Sequence, residues 1–246
     1  MSKTYIIAEC GCEHCGNLSN AKYMIDMAKE AGADCVKFQL FFYYEVGKKM
    51  WNKISRFFLD VNTIAFLKHY AEKQGLDFLC SAFGKGSLTE LAVMGCKTVK
   101  VPAPCNEWDD YFYIARAEFS NLIISSGMTD KRSSLWREND KILLCTSSYP
   151  CPYDQVNLNT LHDYDGISDH TKGIHIATAA VALGAQIVEK HMTIPWYNGP
   201  DKDASINPDE FKDMVTQIRQ IEQAMGDGKH KVEECERKLT WRKRYV

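Results

Sequence analysis

Short apolar runs alternate with longer amphipathic segments along the chain. Eight of these runs are rich in Val and Ile at consecutive positions. This pattern is typical of strands buried on both faces of a parallel sheet. The predicted strands are residues 5–9, 35–39, 77–82, 98–102, 121–127, 141–147, 165–170 and 187–192.

The segments between these runs have the apolar spacing of helices that bury one face. Ala21, Met24, Ile25 and Ala28 form one such stripe, and Gly32 follows it as a helix C-cap. Helices are predicted over residues 20–32, 61–75, 88–95, 173–184 and 207–226, with abbreviated ones over 133–139 and 156–164.

Eight strand–helix units in 246 residues predict a closed (β/α)8 barrel, a TIM barrel of the α/β class. A doubly wound open sheet is the alternative, but no Gly-x-Gly-x-x-Gly follows any predicted strand. We expect a single domain over residues 1–246. The barrel is expected at about 5–226, followed by a basic C-terminal tail at 227–246.

Composition narrows the class of protein. The apolar and charged fractions, 45% and 25%, are those of a globular chain, and a net charge of −2 gives no attraction to nucleic acid. The longest apolar stretch, residues 174–188, is interrupted by Gly184 and Gln186 and is shorter than the ~18 residues of a membrane span. Ten cysteines without a signal peptide indicate free thiols in a reducing compartment, so we expect a cytoplasmic protein.

One cysteine cluster has the spacing of a metal or redox site. Cys12 and Cys15 form a Cys-x-x-Cys pair, with Cys10 close by. A zinc site would need a second pair with similar spacing, and the sequence has none. We therefore expect Cys10, Cys12 and Cys15 to be thiols.

Polar side chains end the predicted strands, which is where a barrel carries its chemistry. Lys37 and Lys100 suit a phosphate or carboxylate, and nearby serine hydroxyls can complete its hydrogen bonds. His170 and His191 end neighbouring strands, so their imidazoles can converge on one divalent ion; mixed N/O ligation suits Mn²⁺, Mg²⁺ or Co²⁺. Structural ion pairing is the alternative interpretation of each single charge. The candidate residues are Glu9, Lys37, Gln39, Ser81, Lys100, Ser147, Tyr149, Ser168, His170, Glu189 and His191, with Asp201 nearby.

A specific set of motifs follows in order along nearly the whole predicted barrel. The segments are residues 7–16, 31–39, 145–150, 168–173, 189–191 and 199–205. Ser168-Asp169-His170-Thr171 and Glu189-Lys190-His191 are together the most specific. With these motifs the chain resembles the sialic acid synthases, the N-acetylneuraminate synthase family with its legionaminic, pseudaminic and spore-coat polysaccharide relatives.

This resemblance implies a carbon–carbon bond-forming transferase. The implied reaction condenses phosphoenolpyruvate with the aldehyde of an N-acyl hexosamine, giving a sialic-acid-like nonulosonic acid and phosphate. His170 and His191 match the family's metal ligands, usually for Mn²⁺. Lys37, Ser81, Lys100, Ser147 and Ser168 match phosphoenolpyruvate-binding positions. Gln39 and Tyr149 match sugar-side positions, and Glu9, Glu189 and Asp201 match positions given catalytic roles.

The sequence also departs from the family pattern. Glu13-His14-Cys15-Gly16 replaces Asn-His-Asn-Gly, while Ala103 and Cys105 stand where a hydroxyl and a carboxylate are usual. Residues 40–60 form a short segment with few of the usual sugar contacts. The resemblance implies a C-terminal antifreeze-like domain that reaches a partner subunit's site, and we expect this chain to be the barrel domain only. A homodimer or a separate lid protein is the expected partner. A condensing enzyme with another aldehyde acceptor, or a non-catalytic sugar- or anion-binding barrel, remain alternatives.

Overall fold

Eight parallel strands form a closed barrel in the computed structural model, which describes residues 3–130 and 133–238. The strands pair in sequence order and β8 closes on β1, so the predicted (β/α)8 barrel is confirmed. The strands are β1 (Tyr5–Glu9), β2 (Cys35–Leu40), β3 (Asp77–Ala82), β4 (Thr98–Val101), β5 (Asn121–Ser125), β6 (Lys141–Cys145), β7 (Gly166–Asp169) and β8 (Ile187–His191).

Helices follow most strands and bury apolar stripes in the core between helices and barrel. The first helix shows why they form where they do. The Asn17 side chain accepts hydrogen bonds from two backbone amides at its start, and Gly32 ends it with φ of +88°. The helices are α1 (Leu18–Ala31), α2 (Tyr43–Ile54), α3 (Val61–Lys73), α4 (Lys85–Val93), α5 (Asp109–Glu118), α6 (His175–Ala182), α7 (Pro208–Ala224) and α8 (Glu234–Arg237).

A separate layer of apolar residues fills the lower part of the barrel. It consists of Ile7, Cys35, Leu79, Ile123, Leu143 and Ile187. Side chains two positions apart on a strand share a face, so the next inward layer comes from the residues two positions later. That layer is Glu9, Lys37, Ser81, Ser125, Cys145 and Glu189. Strand periodicity thus places polar groups directly above an apolar floor.

The return connections differ in length around the barrel. Among residues 126–130 and 133–140 no helix links β5 to β6, and two 3-10 turns, Tyr153–Gln155 and Leu158–Asp163, precede β7. Residues 40–60, by contrast, contain α2, which is interrupted at Gly47 with φ of +72°. The basic tail lies partly outside the described residues, beyond 238. In the described ranges, no helix is both long and apolar enough to cross a membrane.

Candidate active site

A cavity of about 270 Å³ lies at the carboxyl ends of the strands, above the apolar floor. Most of the residues predicted from strand ends meet there. Asp201 does not belong to the lining in the described part of the chain; it lies beside Glu13 and His191. The predicted residues that line the cavity are Glu9, Lys37, Gln39, Ser81, Lys100, Ser147, Tyr149, Ser168, His170, Glu189 and His191.

Lys37 is held between two buried carboxylates at the base of the cavity. Its Nζ lies 3.1 Å from Glu9 Oε2 and 3.0 Å from Glu189 Oε1, and it donates a hydrogen bond to Ser81. Burial alone would lower the pKa of Lys37, but the two carboxylates raise it above its ordinary value. Lys37 therefore stays protonated at neutral pH. Gln39 donates a hydrogen bond to the other oxygen of Glu9 at 2.8 Å and orients that carboxylate.

Lys100 is less strongly paired. Its Nζ lies 3.9 Å from Glu189 Oε1 and donates a hydrogen bond to Ser125. Burial lowers the pKa of Lys100, and the neighbouring Lys37 adds to this, while Glu189 offsets only part of the shift. A bound anion would give Lys100 the close negatively charged partner that it lacks in this structure, and would stabilise its protonated form.

Glu189 is the carboxylate between the two lysines. Ser168 donates a hydrogen bond to its Oε1 at 2.8 Å, and its Oε2 is buried with no hydrogen-bond partner among the described residues. Burial would raise the pKa of Glu189, but Lys100, Lys37 and the Ser168 hydroxyl lower it to about 2. The group is therefore ionised throughout the neutral range.

His170 and His191 fit a divalent metal ion. Their ring centres are 5.4 Å apart. The Nδ1 of His170 lies 3.1 Å from the Thr146 carbonyl, which can only accept, so Nδ1 carries the proton and Nε2 the lone pair. The Nδ1 of His191 likewise donates to Glu13 Oε1 at 2.8 Å. Each ring thus offers Nε2 for ligation while its other nitrogen is anchored, as in protein metal sites.

The carboxylates around His191 favour the protonated ring when no ion is bound, so a metal ion would bind Nε2 in place of its proton. Burial would lower the pKa of this imidazole, but Glu13 raises it to about 9. Tyr149 packs over the pair, with its ring centre 4.3 Å from that of His170 and 5.6 Å from that of His191. Glu13, His191 and Asp201 have ligand atoms within 4.8 Å of one another. Burial raises the pKa of Asp201.

Several lining residues were missed by sequence reasoning. Ser125 ends β5 and could have been found by the same strand-end rule. Cys145 ends β6, and its Sγ lies 3.6 Å from the Ser147 hydroxyl. Burial would raise the pKa of Cys145, but a contact with His170 lowers it to about 7. The remaining lining residues, Met50, Phe83, Pro102, Ala103, Pro104 and Met128, are apolar.

Comparison with known proteins identifies the family of this chain. Residues 24–230 match the NeuB family. The chain is 36% identical to N,N'-diacetyllegionaminic acid synthase of Campylobacter jejuni, over 97% of this chain and 82% of the relative. It is 32% identical to human N-acetylneuraminate-9-phosphate synthase, over 94% of this chain and 74% of the relative.

A solved structure matches as well. The crystal structure of an N-acetylneuraminic acid synthetase from Leptospira borgpetersenii, in complex with citrate, superposes with a TM-score of 0.89 at 28% identity. The alignment covers 97% of this chain and 90% of that one. Fold, motif order and similarity over nearly the whole of this chain therefore agree: the chain belongs to the NeuB family and is a carbon–carbon bond-forming synthase.

Proposed function

We propose that this enzyme condenses phosphoenolpyruvate with the open-chain aldehyde of an N-acyl hexosamine, giving a nonulosonic acid and phosphate. The observation that carries this proposal is one cavity that combines two buried lysines at its base with two anchored imidazoles in its wall. The lysines suit the phosphate and carboxylate of phosphoenolpyruvate. The imidazoles suit a metal ion beside the aldehyde.

At the anion end, Lys100 and Lys37 hold phosphoenolpyruvate, with the hydroxyls of Ser81 and Ser147 donating further hydrogen bonds. Ser168 lines the same end and donates its hydroxyl proton to Glu189 at 2.8 Å. The charge-assisted contacts fix the orientation of its C3 toward the acceptor. Since Lys100 lies 3.9 Å from its nearest carboxylate, it is the cation that an anion can engage without breaking a short ion pair.

At the acceptor end, Gln39 and Tyr149 bind the sugar, and Glu9 and Glu189 face the reacting atoms. Asp201, which lies outside the cavity lining, takes part in proton movement through the neighbouring His191. C3 of phosphoenolpyruvate bonds to the aldehyde carbon, water adds to C2, and phosphate leaves with cleavage of its bond to C2. Glu189, ionised and with one oxygen unpartnered, is suited to accept a hydrogen bond from that water and so to orient it toward C2. The metal, Mn²⁺ by preference with Mg²⁺ or Co²⁺ as alternatives, would act when bound as a Lewis acid on the aldehyde oxygen, held by His170 and His191.

Phosphate release tests the proposal. Phosphoenolpyruvate, Mn²⁺ and a panel of N-acyl hexosamines are incubated with the enzyme, and phosphate and the keto-acid product are measured. We expect equal amounts of both with at least one acceptor, and none without an acceptor. Phosphate release that does not depend on any aldehyde would contradict a condensation.

A related acceptor is the second candidate. Met50, Ala103, Pro104 and Met128 give part of the cavity wall an apolar surface. Such a wall offers no hydrogen-bond partner from its side chains, so it favours an acceptor with apolar substituents at that position over one whose hydroxyls need protein partners. The same panel distinguishes the two candidates when it includes acceptors that differ only in a hydroxyl or a methyl group.

A further inference from the structure

We propose that Glu13 is a positioning residue for the metal site: it fixes the His191 imidazole through Nδ1 so that Nε2 is presented to the ion. The inference rests on the metal role proposed for His170 and His191. Glu13 lies in the β1–α1 loop, next to Cys12, and was not among the residues that the sequence pattern singled out for chemistry.

The contact is short and completely buried. Glu13 Oε1 lies 2.8 Å from His191 Nδ1, and the side-chain exposure of the two residues is 0% and 5%. A carboxylate accepting from Nδ1 fixes the tautomer and the ring rotation of a histidine ligand and makes its other nitrogen a stronger donor to a metal. His170 is anchored through a backbone carbonyl at 3.1 Å. Of the two proposed histidine ligands, only His191 is therefore held by a charged side chain.

Glu13 also ties a second loop to the site. The Ser205 hydroxyl lies 2.9 Å from the same Glu13 oxygen and 2.7 Å from the carbonyl of Asp201. One carboxylate thus connects the first βα loop to the loop after β8, over a sequence separation of 192 residues. Both the ligand His191 and the loop that carries Asp201 are oriented by it.

Glu13 is not itself the metal ligand in this proposal. Although Glu13, His191 and Asp201 form a compact group, the Nδ1 of His191 faces Glu13 at hydrogen-bond distance. A ring uses one nitrogen for the metal and the other for its anchor. The ion therefore belongs on the Nε2 side, with His170, and Glu13 acts through the ring.

Manganese affinity tests this directly. Mn²⁺ is titrated calorimetrically into the full chain, the E13Q and E13A variants, and an E45Q control, without phosphoenolpyruvate or sugar. Glu45 is a matched carboxylate that joins two segments through backbone contacts, with 2.8 Å to the Ser87 amide, and touches no histidine. We expect Kd to rise by about 10- to 100-fold in E13A, less in E13Q, and not at all in E45Q.

A second variant keeps the test decisive where E13A fails to fold. S205A removes the other partner of the Glu13 oxygen and should weaken Mn²⁺ binding by a smaller factor. Wild-type affinity in all folded Glu13 and Ser205 variants would overturn the inference while leaving the condensation itself intact. Loss of Mn²⁺ binding in D201N but not in H170A would place the ion on the Nδ1 side and would equally overturn it. Failure of phosphate release with normal Mn²⁺ behaviour would instead count against the proposed reaction alone.

Discussion

Lys37 and Lys100 both face the same oxygen of Glu189, at different distances. Lys37 Nζ is within 3.1 Å of two carboxylates, whereas Lys100 Nζ is 3.9 Å from one. Both lysines are almost completely buried. We therefore expect Lys37 to contribute more to the stability of the fold, and Lys100 to be the lysine that is freer to bind an anion.

Removing Lys37 should destabilise the protein strongly. Lys37→Met leaves Glu9 and Glu189 buried without their shared cation, and breaking such a pair costs about 3–5 kcal/mol of unfolding free energy. Lys100→Met should cost clearly less, because its contact with Glu189 is longer. Urea unfolding of both variants, compared by midpoint at equal slope, measures this. Equal losses of unfolding free energy in the two variants would contradict the expectation that the shorter ion pairs of Lys37 stabilise the fold more.

Phosphoenolpyruvate binding should weaken as the pH rises. Burial lowers the pKa of Lys100, and the groups that face it are Glu189, Lys37, Cys145 and Glu9. Only the protonated amine attracts an anion, so affinity is full below that lowered pKa and falls as the pH passes through it. Calorimetry between about pH 7 and 10, at constant ionic strength, measures the fall.

Two variants identify the group responsible for the fall. Lys100→Arg keeps its charge, so the loss of affinity should move to higher pH. Cys145→Ser removes a thiol whose pKa, raised by burial but lowered further by His170, is about 7. If the Arg variant shows the wild-type profile and the Ser variant does not, the thiol rather than the lysine controls binding.

At the scale of elements, β7 and β8 are joined by a buried ion pair behind the site. Lys190 Nζ lies 2.9 Å from Asp169 Oδ2, and both side chains have no exposed surface. These residues alternate with Ser168, His170, Glu189 and His191, so they point outward while their neighbours point into the cavity. The pair therefore fixes the relative position of the two strands that carry the imidazoles.

Breaking this pair should be costly, and removing both partners should be less so. Asp169→Leu or Lys190→Met alone leaves an unpaired buried charge, at about 3–5 kcal/mol each. The double variant loses both charges together, so its destabilisation should be well below the sum of the single ones. Chemical unfolding of the wild type, the two single variants and the double variant measures the coupling free energy between Asp169 and Lys190. Additive losses of unfolding free energy would show that the two residues do not stabilise each other.

Strand-level features were predictable from sequence, and loop-level ones were not. The inward positions of Glu9, Lys37 and Glu189 follow from a period of two within short apolar runs, a purely local signal. The helix α2 was missed because Gly47 interrupts it and none of its residues is completely buried, unlike the residues of the helices that pack on the barrel. Glu13 was missed because its partner His191 is 178 residues away.

At the scale of the whole molecule, the barrel core and the proposed metal site are separate. The apolar floor and the core between helices and strands are formed by apolar side chains, whose packing needs no ion. All ten cysteines are free, so no disulfide supports the described fold. The fold should therefore persist without a metal ion, although the metal site lies at its centre.

Metal removal should abolish turnover without unfolding the barrel. After chelation we expect unchanged far-ultraviolet circular dichroism and cooperative thermal unfolding. Adding Mn²⁺ at one hundred times its Kd should stabilise the native state by about 2.7 kcal/mol, a rise in Tm of roughly 5–11 °C, because the ion binds only the folded chain. The H170A/H191A double variant should unfold near the chelated wild-type temperature and show no rise. A persistent rise in that variant, or stoichiometric iron or zinc retained by it, would place the ion elsewhere, with Cys10, Cys12 and Cys15 as the first alternative.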